Sequence, residues 1–139
     1  MVEISMPLPQ NDDPRRLRGL LDRACDLAKE HAVPSVMLGL AGAEGDRTFP
    51  EFVDFLQSAL RVEDAIFRMT RERAVVHLAD LDRVQAQEVL DRLLADFCDE
   101  FPAMTSPCFE TGFFDVKPGV EKPRVKDMLT EIFSGPLFH

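Results

Sequence analysis

After Pro34 the chain runs Ser35-Val36-Met37-Leu38-Gly39-Leu40-Ala41, uncharged throughout, and stops at the turn-like Gly42-Ala43-Glu44-Gly45-Asp46. An apolar run of strand length, bounded by proline and glycine, reads as a central β-strand. The rest of the fold has to give it hydrogen-bonded neighbours and a cover of helix. Upstream, Asp13-Pro14 supplies an N-cap with proline at the first helical position, and Leu17, Leu20, Leu21, Ala24, Leu27 and Ala28 share one face. This predicts a helix ending near His31. Residues 1–13 read as a flexible leader, and residues 14–139 as one domain.

Downstream, Thr48 and Glu51 fit a capping box, and Phe49, Phe52, Val53, Leu56, Ala59 and Leu60 recur at spacings of three and four. A second helix is expected up to about Arg61. Residues 64–69 and 74–79 read as strands of a hairpin around Thr70-Arg71-Glu72-Arg73, although no Asn-Gly or Asp-Gly marks the turn. Asp80 or Asp82 caps a third helix whose face is Leu81, Val84, Val89, Leu90, Leu93, Leu94 and Phe97, with Pro102 beyond its end. A last strand is expected over residues 104–114. A helix opened by Pro123 then carries Val125, Met128, Leu129, Ile132 and Phe133, and Ser134-Gly135-Pro136 ends it. This order predicts an α+β fold, a ferredoxin-like βαββαβ sandwich whose helices cover one face of an antiparallel sheet, plus N-terminal and C-terminal helices.

With 139 residues, 45% of them hydrophobic, the chain has material for one core. Its 25 acidic against 16 basic residues, a net charge of -9, oppose binding to the polyanionic backbone of nucleic acid. Cys25, Cys98 and Cys108 are odd in number and lack CxxC spacing, so reduced, buried thiols are expected rather than disulfides or structural zinc. Neither a basic stretch followed by an apolar one at the start nor about 18 consecutive apolar residues anywhere is present. That predicts a cytoplasmic protein with no membrane partner. With no tyrosine or tryptophan and 11 phenylalanines, the aromatics look assigned to core rather than to stacking on bases.

The order and spacing of Gly45-Asp46, the helix with Phe52 and Leu56, Arg61-Val62-Glu63-Asp64 and Arg68 resemble the GGDEF (diguanylate cyclase) family. The match continues through residues 74–79, the third helix and a last strand whose Gly112 resembles the glycine of the family's Ser-Ile-Gly strand. It covers roughly residues 34–114. The resemblance implies a place in bacterial signalling.

It also allows the chemistry to be checked residue by residue. A nucleotidyl cyclase needs carboxylates that hold divalent metal against the triphosphate. The family's two strand aspartates fall on Gly39 and Ala41, and its Gly-Gly-Asp-Glu-Phe signature falls on Thr70-Arg71-Glu72-Arg73-Ala74. Only Glu72 keeps an acid, and between two arginines it reads as part of a hairpin-tip ion pair. The piece between first strand and second helix is about ten residues shorter than in the family, leaving Asp46, aligned with a guanine-contacting aspartate, as a turn residue. No catalytic residue, metal ligand or cofactor is therefore expected. His31, His77 and His139 are unaccompanied by any catalytic motif.

The Arg-x-x-Asp element is retained, and in the family it forms the inhibitory site for cyclic di-GMP. By resemblance Arg61 would stack on or pair with a guanine and Asp64 would accept from it, with Arg68 adding positive charge. Three readings follow. The first is a non-catalytic GGDEF-like module working by contact with another protein or itself. The second is a cyclic di-GMP receptor using Arg61, Asp64 and Arg68. The third is an unrelated ferredoxin-like dimerisation or regulatory domain.

Overall fold

The computed structural model describes residues 13–119 and 122–133. The elements follow in the order α1 (Pro14–His31), β1 (Ser35–Gly42), α2 (Thr48–Ala59), β2 (Ala65–Thr70), β3 (Arg73–Ala79), α3 (Arg83–Glu100), β4 (Phe109–Val116) and α4 (Val125–Ile132). The leader, except Asp13, and the stop at Ser134-Gly135-Pro136 lie outside the described residues.

The strands form one antiparallel sheet in the order β2-β3-β1-β4, the expected ferredoxin-like plan. β1 is central, every residue of it buried. Alternation sends Val36, Leu38 and Leu40 to one face, where α2 and α3 close over them with Phe49, Phe52, Leu90 and Phe97. Met37, Val75 and Phe67 point the other way, onto Leu17, Leu21, Met128 and Ile132 of α1 and α4. Helices therefore cover both faces rather than one. The reason is in β1 itself: a strand apolar at successive positions leaves no side fit to meet water.

Local chemistry sets the element ends. Asp13 caps α1 by accepting from the Arg15 backbone N–H at 3.0 Å, and Ala32 closes the helix in the left-handed region at φ 55. Asp82 and Gln85 make a full capping box at α3. The expected box at Thr48 does not form: Thr48 is already helical, and Asp46 accepts from its N–H at 2.9 Å instead. The hairpin turn needs no glycine because neither Arg71 nor Glu72 has positive φ, and a register shift between Arg68 and Thr70 absorbs the mismatch. β4 begins at residue 109, not 104, since the preceding stretch holds Pro102 and Pro107, which donate nothing to a ladder. It runs on to Val116, opposite Ser35. All three cysteines are free, but only Cys25 and Cys98 are partly buried; Cys108, at the entrance to β4, is exposed, contrary to the buried thiols expected.

Candidate functional site

Gly39 and Ala41, where the resemblance would place metal-holding acids, lie in the second half of β1, whose last residue is bonded to the β2–β3 turn. Gly39 pairs with Val75 on one side and Gly112 on the other, and α4 lies directly over this pair. A Cβ on Gly39 would come within 3.0 Å of Ile132, and one on Gly112 within 2.0 Å of the Ile132 carbonyl oxygen. The two glycines thus make the seat of α4. Two residues on, Ala41 is 2% exposed and stands between Arg73 of β3 and Glu110 of β4. The Arg73 guanidinium lies 5.4 Å from the centre of the Phe133 ring. Among the described residues no three His, Cys, Asp or Glu side chains converge as metal ligands do.

At the hairpin tip Glu72 acts through its backbone. Its N–H donates to Thr70 Oγ1 at 3.2 Å, and its carbonyl accepts from the Gly42 N–H at 2.7 Å, tying the turn to the end of β1. The ion pair expected between Glu72 and Arg71 or Arg73 is not among the pairs formed by the described residues; an exposed turn gives long side chains little reason to hold one geometry. Both oxygens of Asp46 are engaged by backbone donors. One oxygen caps α2 and the other accepts from the Cys108 N–H at 2.9 Å, so the shortened loop is pinned to the start of β4.

The Arg-x-x-Asp element forms a closed clamp. Asp64 accepts two bonds from the Arg61 guanidinium, Nε at 2.8 Å and Nη2 at 2.9 Å, and a third from the Ala79 backbone N–H at 3.1 Å. Arg61 Nη2 also donates to the Ala79 carbonyl at 2.7 Å. Residues 18 apart in sequence are thereby locked, and the loop into β2 is fastened to the end of β3. The Asp64 side chain is 2% exposed, while Arg61 keeps 48% exposure, and the carboxylate partner holds the guanidinium pKa above its ordinary value. Arg68 sits elsewhere. It pairs with Asp54 at 2.7 Å and donates to Gln57 Oε1 at 2.6 Å, both on α2. Four residues of strand put it about 13 Å from Asp64. The structure brings Arg61 and Asp64 together and does not bring Arg68 to them.

Sequence reasoning missed two features. His77 and Ser35 are buried on the α1 side of the sheet with His77 Nε2 and Ser35 Oγ unpartnered among the described residues. A histidine and a serine inside apolar strand runs were the available signal. The other is that Lys122 and Arg124, just before α4, stand beside the basic run that opens α1, Arg15 and Arg18, a run that by sequence reads as a solvated face.

The four-stranded antiparallel sheet in the order 2-3-1-4, with helices on both faces, is a GGDEF-like fold by its likeness to solved structures. Neither a family model nor a curated protein sequence matches the chain. Solved structures do. The FimX GGDEF domain from Pseudomonas aeruginosa superposes with a TM-score of 0.64 at 12% identity, over 89% of this chain and 90% of that one. The GGDEF domain of DgcB from Caulobacter crescentus, in complex with c-di-GMP, gives 0.62 at 13% identity over 91% and 86%. PelD 158-CT from Pseudomonas aeruginosa PAO1 gives 0.66 at 20% identity, over 89% of this chain and 46% of that one. At such identities the likeness is one of fold.

Proposed function

We propose that this domain is a non-catalytic GGDEF-like signalling module of the bacterial cytoplasm that works by binding another protein or a second copy of itself. The observation that carries the reading is the end of β1. Gly39 lies under Ile132, and Ala41 lies between a cation and an anion, where a cyclase would need metal-holding carboxylates. No helix among the described residues is long and apolar enough to cross a membrane. Purified protein incubated with GTP and magnesium or manganese is expected to yield no cyclic dinucleotide. Formation of cyclic di-GMP would overturn the reading.

A second reading, a cyclic di-GMP receptor, is favoured by one feature: Arg61 is half-exposed and held rigid by Asp64 and the Ala79 carbonyl. Such a guanidinium offers a flat cationic face for a purine. On this reading Asp64 positions Arg61 instead of touching ligand, because both its oxygens are occupied by protein donors, and Arg68 contributes only after leaving Asp54. Titration calorimetry with cyclic di-GMP separates the two. Saturable heat that disappears in Arg61→Ala supports the receptor; no heat, or binding indifferent to Arg61→Ala, removes it.

A further inference from the structure

Residues 13–31 and 117–127, which cap and build α1 and lead into α4, hold 9 basic residues against 6 acidic ones in a chain whose net charge is -9. Part of this positive charge converges on a cavity of about 580 Å³ between the two elements. Arg15 and Arg18 enter it from α1, Lys122 and Arg124 from the approach to α4, over Leu21 and Val125. A volume of this order is within the range of small-molecule sites.

The cations are held loosely. Lys122 reaches across to Asp22 at 2.8 Å, Arg15 pairs with Asp13 at 2.8 Å and Arg124 with Asp127 at 3.0 Å, all between exposed side chains. Pairs of this kind add little stability and exchange partners readily. Arg18 makes no ion pair among the described residues. At the start of α4 the N-cap residue Arg124 gives no side-chain cap to the first-turn N–H groups, and the acid of that turn, Asp127, is engaged by Arg124. A cavity with an apolar floor and convergent guanidinium and ammonium groups is complementary to a doubly charged oxyanion.

We propose that this cavity binds a phosphate-bearing ligand, with Arg18 and Lys122 as its principal contacts and Asp22 as the competitor that the phosphate displaces. The site uses none of Arg61, Asp64 or Arg68, so it stands or falls apart from the receptor reading. A soluble phosphorylated molecule and a phospholipid headgroup present the same chemistry, and the test keeps them apart. Amide chemical shifts of ¹⁵N-labelled protein are followed on titration with pyrophosphate, and sedimentation is measured with phosphatidylglycerol vesicles. Saturable shifts confined to Arg18, Lys122 and the first turn of α4 are expected, with affinity reduced about tenfold or more in the double variant Arg18→Ala/Lys122→Ala. Asp22→Asn is expected to tighten binding. Vesicle binding without pyrophosphate binding, with the same dependence on these side chains, assigns the site to a lipid headgroup. Failure of both probes to bind, unchanged affinity in the double variant, no tightening in Asp22→Asn, or an equal loss in Arg92→Ala on α3 would overturn the proposal. All four positions carry solvent-facing side chains, so the variants are expected to fold, and circular dichroism checks it.

Discussion

On the face covered by α2 and α3, Phe49, Phe52, Phe55, Phe97, Phe101 and Phe109 form a continuous set of ring contacts with centroids 5.2 to 6.5 Å apart. On the face covered by α1 and α4 the contacts come from Leu21, Ala24, Ala28, Met37, Val75, Met128 and Ile132, with a glycine pair in place of side chains. The first face gains stability from volume and ring geometry. The second depends on close approach, and it also holds Ser35 Oγ and His77 Nε2, buried and unpartnered among the described residues. Two faces of one sheet therefore fail in different ways: one by losing bulk, the other by gaining it.

Phe52→Ala tests the first kind of failure. Phe52 is fully buried and contacts the rings of Phe97 and Phe109, so its loss should cost about 4 kcal/mol in chemical denaturation. Gly112→Ala tests the second. The added Cβ meets the Ile132 carbonyl, a backbone atom that moves only if α4 moves, and the expected cost is about 2 to 3 kcal/mol. Hydrogen exchange should place the damage: in Gly112→Ala the amides of Met128 and Ile132 lose protection while those of α3 keep theirs. Uniform loss over the whole chain would show that the two faces are not separable.

Much of this contrast was legible in the sequence, for physical reasons. The periodicities of Phe49, Phe52, Val53 and Leu56 and of Leu90, Leu93 and Phe97 define the aromatic face, and β1, the hairpin and the Asp82 cap follow from local rules. The second face was less legible, because a glycine inside a strand announces a close approach without naming what approaches. By sequence Gly39 marks a missing side chain; in the fold it is room for Ile132. The candidate site divides in the same way. That Gly39 and Ala41 carry no carboxylate is visible residue by residue. The Arg61–Asp64 clamp is not, since its third member is the backbone of Ala79, and any residue but proline at that position would present the same N–H and C=O. The basic cavity was out of reach because its cations come from segments about a hundred residues apart, brought together only by the packing of α1 on α4.

The smallest effect concerns His77, and it sharpens the contrast because among the described residues the buried histidine lies on the α1 side. Burial pushes the imidazole below its ordinary value of 6.5; Asp64 pulls it back up, and Arg23 of α1 pushes it down. A depressed folded-state pKa means that above 6.5 both folded and unfolded chains carry a neutral ring, and the full stability is present. As pH falls below 6.5 the unfolded chain takes up a proton that the folded one resists, and stability declines until the folded-state value is passed. The denaturation midpoint should therefore drop between pH 7.5 and about pH 5 by more in the native sequence than in His77→Leu, where the carboxylates common to both chains still titrate and cancel in the comparison. The loss should begin in α1, whose Ala24 and Ala28 belong to the cluster on that face, before α3 is affected. Equal pH dependence in the two chains would mean that the ring is hydrated or partnered in solution, and the α1 face would then be as well sealed as the aromatic one.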